Sequence, residues 1–240
     1  MFMKTSCITF YLLCVNFFVF SQTHQDDVNL GGNNMDLFKN KFHVEIMGGP
    51  SVPVGQFGST NYSSSKDAGL AKVGYNVNVN GAYQIFKYFG VGSTLFFANY
   101  YVDQSSVNKF LNGSASSSTT GSTDHWRYYG IAAGPVGIIP IRHNLFIDIK
   151  TLIGISHANM PTAKIDLSGS TSINSTSDNW SDAFTVKLGG GIRYNLINSI
   201  CLVGNIDFDY LKPTWKISDA SNLTQNITAL DFNVGIGKTF

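Results

Sequence analysis

Residues Ile227 to Phe240 read ITALDFNVGIGKTF, and two sets of side chains interleave in them. Counting back from the end, Phe240, Lys238, Ile236, Val234, Phe232 and Leu230 are large and, Lys238 apart, apolar. Between them stand Thr239, Gly237, Gly235, Asn233 and Asp231, all small or polar. That period of two belongs to a β-strand, whose successive side chains point to opposite faces. One face suits an apolar medium and the other a crowded or polar one. A soluble sheet shows the same alternation, so the rest of the chain has to decide which medium the apolar face meets.

Composition narrows the choice. The chain has 240 residues, enough for one β-domain of barrel size. Charged residues are 13% of it, about half the usual soluble fraction, yet mean hydropathy is only +0.03. Low charge without high hydropathy fits a barrel in which every second strand residue meets lipid. A helical membrane protein needs apolar runs of about 20 residues, and none follows residue 21. A net charge of +1 gives no reason to expect a nucleic-acid partner.

The first 21 residues read as an export signal. Lys4 supplies the positive start, Ile8 to Phe20 the apolar core, and Val19-Phe20-Ser21 a cleavage site before Gln22. A membrane-anchoring helix is the alternative; Leu13 before Cys14 argues against a lipoprotein. Cleavage leaves Cys201 alone, with no internal partner for a disulfide. Residues 22–40, polar and rich in Gly and Asn, are expected to form a flexible periplasmic tail before a barrel of residues 41–240.

Seven further strands precede the terminal one. They are expected over Lys41 to Gly49, Val73 to Ile85, Gly90 to Val102, His125 to Ile139, Asn144 to Ser156, Ala183 to Leu196 and Ile200 to Leu211. The second is the clearest, with Tyr75, Val77, Val79, Tyr83 and Ile85 set against Asn76, Asn78, Asn80, Ala82 and Gln84. The third alternates poorly because Phe96 and Phe97 adjoin. Pro50 and Pro53 remove ladder donors, so regular pairing should weaken there, and Gly134-Pro135 should kink strand four. Long Ser/Thr/Asn/Gly loops follow strands one, three, five and seven; short turns follow two, four and six. That asymmetry is expected of an all-β, eight-stranded antiparallel up-and-down transmembrane β-barrel, long loops outside and short turns on the periplasmic side.

Several short motifs now carry a resemblance. They are Gly49-Pro50-Ser51-Val52-Pro53-Val54-Gly55-Gln56-Phe57, Gly74-Tyr75-Asn76 with Ala82-Tyr83-Gln84, Ala133-Gly134-Pro135, Gly189-Gly190-Gly191-Ile192-Arg193-Tyr194-Asn195-Leu196 and the terminal strand. Over residues 41 to 240 the chain resembles the small outer-membrane β-barrel proteins of the Bacteroidetes, of OmpX/OmpA-type shape. The resemblance implies location in the cell outer membrane, with outer-membrane lipid around the barrel. Asn233, Gly235 and Phe240 resemble the terminal signal by which such barrels are handed to the barrel-assembly machinery; Lys238 departs from it, standing where a hydrophobic residue is usual. The motifs are short and structural, so they support fold and location and say almost nothing about activity. A monomeric barrel in a non-enzymatic envelope role is the expectation, its loop partner open.

Charge collects on the expected inward face: Glu45, Asp148, Asp207, Asp209 and Asp231 against Lys150, Lys187 and Arg193, with His43 available to join. Lys or Arg facing lipid at mid-depth costs about 2–4 kcal/mol, so these groups should point into the lumen. Eight strands enclose a space that side chains fill, so acids and bases should pair and plug it; a narrow gated ion path is the alternative. Aromatics should form two interfacial bands. Phe42, Tyr83, Phe86, Tyr88, Phe89, Phe146, Tyr194 and Phe240 lie near short turns, and Tyr75, Tyr100, Tyr101, Trp126, Tyr128, Tyr129, Phe184 and Tyr210 near long loops. Gly189-Gly190-Gly191 and Gly235-x-Gly237 sit between no strand and helix, which excludes a nucleotide loop; they should thin a crowded interior. The five histidines lack metal-ligand spacing, and no cofactor is expected. His125 and His157 near the outer rim leave one enzymatic alternative, a lipid-modifying Ser–His site among the loop serines. A soluble lipocalin-type barrel would instead carry its apolar residues inside and its charges outside.

Overall fold

The computed structural model describes residues 42–60, 68–114, 119–142, 144–167, 170–174, 180–196, 199–218 and 221–240. The expected signal peptide and tail lie outside the described residues. In chain order the elements are β1 (Phe42–Pro53), β2 (Gly74–Phe86), β3 (Phe89–Tyr100), α1 (Gln104–Ser114), β4 (Thr119–Thr123), β5 (Trp126–Arg142) and β6 (Leu145–Asn159). They continue with β7 (Ala163–Leu167), β8 (Ser170–Asn174), β9 (Trp180–Asn195), β10 (Ile200–Leu211), β11 (Thr214–Ser218), β12 (Ser221–Thr224) and β13 (Ile227–Thr239).

Eight of these strands close a barrel in the order β1-β13-β10-β9-β6-β5-β3-β2, with every neighbour antiparallel. The closing pair joins the two ends of the barrel sequence, from His43↔Thr239 to Pro53↔Ala229. The Phe240 amide donates to the Phe42 carbonyl at 2.8 Å, and the two rings pack at 6.2 Å. Closure leaves no unpaired edge, the condition for a sheet to stand in a medium that cannot hydrogen-bond. The barrel strands run 12 to 17 residues, longer than the roughly 9–11 that cross a bilayer at a tilt.

Alternation sorts the residues as the terminal strand announces. On β13, Phe232, Val234 and Ile236 are exposed on the outside while Asp231 and Asn233 are buried inside. On β2, Tyr75, Val77 and Val79 face out and Asn76, Asn78 and Asn80 face in. On β3, Phe96 turns inward, and Phe97, next along the strand, outward beside Tyr75, which accounts for its broken pattern.

Boundaries differ where proline was expected to interrupt pairing. β1 runs through Pro50 to Pro53, past its expected end at Gly49. Its ladder to β13 lapses only at Gly49–Pro50 and resumes at Ser51↔Asp231 in the same register, while the β2 ladder continues through Pro50↔Tyr75. β5 behaves alike: its ladder to β6 omits Gly134 and Pro135, but both remain paired to β3. A proline lacks one donor, so it interrupts one of two flanking ladders and the other carries the strand on.

The loops contain structure that composition did not announce. Between β3 and β5 lies α1, whose N-terminus is capped by Asp103: its carboxylate accepts from the Ser105 amide at 3.2 Å and the Ser106 hydroxyl at 2.9 Å. β4, β7 and β8 form a three-stranded sheet, and β11 with β12 a hairpin. The loop after β1 turns at Gly55, where φ is +61°, a conformation that glycine adopts without strain.

Candidate functional site

The lumen is built from inward residues of all eight barrel strands, and it has three levels. At the short-turn end, His43 Nε2 lies 2.8 Å from Glu45, whose other oxygen accepts from Asn80 at 2.7 Å. Beside them Arg193 pairs with Asp148 at 3.0 Å and lies over the Phe146 ring. Higher up, Lys150 reaches across to Asp207 at 3.1 Å, and Asn233 donates to the same carboxylate at 3.2 Å.

The middle level holds a larger network. Lys187 is 1% exposed, bonds Asp209 at 2.5 Å, and sits 4.6 Å from the centre of the Phe96 ring. Tyr128 OH donates to Asp209 at 3.1 Å, Tyr100 OH stands 3.0 Å from Tyr128 OH, and Ser51 Oγ stands 2.6 Å from Tyr100 OH. Ser51 is also hydrogen-bonded to Asp231. Asp231 lies opposite Asp207 in the β10–β13 ladder, and its nearest ammonium, Lys187, is 3.9 Å away.

Thus Glu45, Asp148, Lys150, Lys187, Arg193, Asp207, Asp209 and Asp231 all stand inside the barrel, most of them in pairs. Ser51, Tyr100, Tyr128 and the Asn76/Asn78/Asn80 row are members that sequence reading did not assign to the network. The asparagine row was visible as the polar half of β2's alternation. The two tyrosines were expected in an interfacial band, and here the structure corrects the reading. Tyr100, Trp126 and Tyr128 are buried inside the lumen, whereas Tyr75, Tyr101, Tyr129 and Phe184 of the same band are exposed outside. Tyr128 and Tyr129 are consecutive, so strand geometry sends them to opposite faces. In the other band Phe146 likewise faces inward, under Arg193.

Trp126 belongs to the third level, an apolar cap at the long-loop end. Phe57, from the loop after β1, packs edge-on against Tyr100 at 5.0 Å and Trp126 at 5.6 Å. Trp215, from β11, meets Trp126 at 5.8 Å, and Leu211, Ile227 and Ala229 complete the layer. Both indoles are satisfied: Trp126 donates to the Gly69 carbonyl at 2.9 Å and Trp215 to that of Ala158 at 3.3 Å. The loops are therefore pinned into the barrel mouth by ring packing and by hydrogen bonds.

Exposure is uneven along this column. At the short-turn end the Asp148 side chain is 23% exposed while those of His43, Glu45 and Arg193 are at 8–9%, and that of Lys150, higher up, is at 11%. Lys187 and Asp209, just under the cap, are at 1%.

Crowding explains the inward glycines. A Cβ on Gly189 would stand 1.9 Å from an Asp207 oxygen and 2.7 Å from Lys150 Cε; one on Gly191 would stand 1.7 Å from Asn205 Oδ1. Gly190, between them, faces out and would meet nothing nearer than 3.8 Å. In the terminal strand Asn233 is the donor to Asp207, Gly235 lies against Met47 with no room for a Cβ, and Phe240 packs on Phe42.

On the outer wall His157 stacks on Trp180 at 4.9 Å and its Nδ1 lies 2.6 Å from Asp182. Its ladder partners on that face are Tyr129 and Asp182, and its strand neighbours there are Ile155 and Asn159. None of the four is a serine. Ser156 turns inward to the Ala183 carbonyl, and Ser181 bonds the Thr214 backbone. His125 packs against Tyr101. The described residues assemble no Ser–His pair at His157. Beyond the rim, Asp103 pairs with Lys72 at 2.8 Å; that contact and its serine bonds hold the Asp103 carboxyl well below the usual carboxylate range.

No family model matches the chain, and no curated protein matches it. Among solved structures it is similar to Neisserial surface protein A, at 14% identity and a TM-score of 0.49, over 83% of this chain and 97% of that one. It is similar to Ail, the attachment invasion locus protein of Yersinia pestis, at 17% identity and a TM-score of 0.44, over 84% and 99%. The outer membrane protein OprG from Pseudomonas aeruginosa matches at 11% identity and a TM-score of 0.38, over 84% and 96%.

Proposed function

We propose that this chain is an integral outer-membrane β-barrel protein, monomeric, with a side-chain-filled lumen and long extracellular loops, serving a non-enzymatic role at the envelope surface. One observation carries the reading: polarity is inverted relative to a soluble protein. Leu95, Ile155, Phe184, Ile206 and Val234 are exposed on the outer wall, while Lys187, Asp207, Asp209 and Asp231 are buried within. A contiguous apolar wall on a closed barrel is stable only where lipid covers it. Tyr75, Tyr101 and Tyr129 toward one rim and Tyr83, Tyr88 and Tyr194 toward the other suit the two interfaces. On the same reading residues 1–21 direct export and are removed, 22–40 lie in the periplasm, and Asn233, Gly235 and Phe240 serve the assembly machinery. The motifs quoted above favour a place among the small barrels of the Bacteroidetes.

The packed lumen favours a closed barrel over a pore, and the surroundings of His157 disfavour a hydrolase. Fractionation tests the location: the protein should sediment with the outer membrane, require detergent for extraction and run heat-modifiably on gels. Recovery in the soluble fraction would sink the reading. Planar-bilayer recordings should show little or rare conductance, and large steady steps would move the function to transport.

A further inference from the structure

Asp231 sits in the middle of the barrel with an unequal share of partners. The upper and middle network holds three carboxylates, Asp207, Asp209 and Asp231, and two ammonium groups, Lys150 and Lys187. Lys150 bonds Asp207 and Lys187 bonds Asp209; Asp231 is left with Lys187 at 3.9 Å, beyond hydrogen-bond reach. Asp231 Oδ2 has no hydrogen-bond partner, and the residue is wholly buried. An ionised carboxylate so placed strands a full charge, and Asp207 directly across the ladder adds like-charge repulsion.

A count of hydrogens reaches the same residue independently. Four oxygen–oxygen contacts run in series: Asp231 to Ser51, Ser51 to Tyr100, Tyr100 to Tyr128 and Tyr128 to Asp209. The three hydroxyls between the carboxylates bring one hydrogen each. With both aspartates ionised, one contact has no hydrogen, and two oxygens face each other through lone pairs. A fourth hydrogen fills the series. Asp209 already takes the Lys187 ammonium at 2.5 Å and the Tyr128 hydroxyl at 3.1 Å as donors, so the end of the series with room for that hydrogen is Asp231.

We propose that Asp231 is a proton-binding site: in the folded barrel it carries a proton and heads a one-way hydrogen-bond chain, Asp231 to Ser51 to Tyr100 to Tyr128 to Asp209. Every contact then has one donor and one acceptor, and the network is neutral, with two carboxylates against two ammoniums. The unpartnered Oδ2 becomes the carbonyl oxygen of a neutral acid, which costs far less to bury than half a carboxylate. The groups around the proton come from every neighbouring strand. They are Ser51 of β1, Tyr100 of β3, Tyr128 of β5, Lys187 of β9, and Asp207 and Asp209 of β10, with Lys150 of β6 one residue further out. The chain passes from β13 through β1, β3 and β5 back to β10, tying together strands that are not all neighbours in the sheet.

Infrared spectroscopy of the full-length mature protein folded in detergent at neutral pH tests this. The wild type should show a carboxylic-acid carbonyl stretch. It should be absent from Asp231→Asn, retained in Asp207→Asn, and shifted in Ser51→Ala, which removes the acceptor. Absence of the band in the wild type, its survival in Asp231→Asn, or an unmoved band in Ser51→Ala would each overturn the proposal. Stability provides a second reading. Asp231→Asn keeps a neutral donor toward Ser51 and should unfold at or above the wild-type midpoint, whereas Asp209→Asn discards the partner of Lys187 and should unfold earlier. Equal losses in the two variants would show that Asp231 acts as an anion and refute the assignment.

Discussion

Replacing Lys187 by methionine is the sharpest perturbation of the lumen. The side chain is 1% exposed, bonds Asp209 at 2.5 Å and lies over the Phe96 ring at 4.6 Å. Methionine fills a similar volume and keeps an apolar contact with Phe96, so the change isolates the charge. Asp209 is then left buried with one neutral partner, Tyr128. Breaking a buried pair by removing one member costs about 3–5 kcal/mol, because the other charge is stranded. Arg193→Ala should cost less, since Asp148 is 23% exposed and water can replace the lost guanidinium. Lys212→Ala, on an exposed loop residue, should stay within about 0.5 kcal/mol of wild type. Urea unfolding of detergent-folded protein, followed by the emission of its tryptophans and by the compact band on unheated gels, gives the ranking. The double variant Lys187→Met/Asp209→Asn should recover most of the loss, because neutralising both partners leaves no stranded charge. A Lys187→Met barrel as stable as Arg193→Ala, or a double variant no better than the single, would refute the reasoning.

Glycine packing makes a paired prediction. Gly189→Ala drives a methyl into Asp207 and Lys150 and should cost about 1–3 kcal/mol and lower the heat-modifiable fraction, while Gly190→Ala, facing open space, should do neither. For sidedness, Asn222→Cys in the β11–β12 hairpin should react with an impermeant thiol reagent on intact cells, and Lys87→Cys in a short turn only after the envelope is opened; the reverse pattern would invert the topology. Native Cys201 is fully buried and should contribute no background. Finally, the Asp103 carboxyl is held below its usual value by Lys72 and the serines, so it stabilises the loop above about pH 4 and loses that effect as pH falls toward its folded value. Protease nicking near α1 should rise in acid for the wild type and be pH-independent in Asp103→Asn over the same range.

The barrel was legible because its two faces differ in chemistry at every second residue. Ile200 to Leu211 shows it best: Asp207 and Asp209 against Ile206 and Phe208 fix both phase and length, and the expected and observed limits of β10 coincide. Where both faces carry aromatics the phase is hidden, which is why Tyr100, Trp126 and Tyr128 were expected outside. A ring is equally at home at a lipid interface and in a dry core, and only its parity relative to Arg127 or Tyr129 separates the two. Phe57 was legible as part of a motif and not as a stopper, because its contacts with Tyr100 and Trp126 span distant sequence. Helix α1 and the loop hairpins left no trace in Ser/Thr/Gly runs, whose composition has no period. The pairings within the lumen depend on register: Lys150 meets Asp207 across the bare Gly189, a contact no spacing in the sequence announces.

The apolar cap has an electrical consequence. Ions entering a closed barrel of this kind from the short-turn end would meet the partly exposed Asp148 and Lys150 before the fully buried Lys187. Resistances in series are governed by the largest, and here it is the layer of Phe57, Trp126 and Trp215 at the far mouth. Enlarging the lower lumen, for instance by trimming Arg193, lengthens the conducting vestibule without raising current. On the closed-barrel reading current would require the rings to part, and the carbonyls that hold the two indoles, of Gly69 and Ala158, belong respectively to the loop after β1 and to β6. A ligand that pulls that loop outward would withdraw Phe57, one of the three rings in that layer.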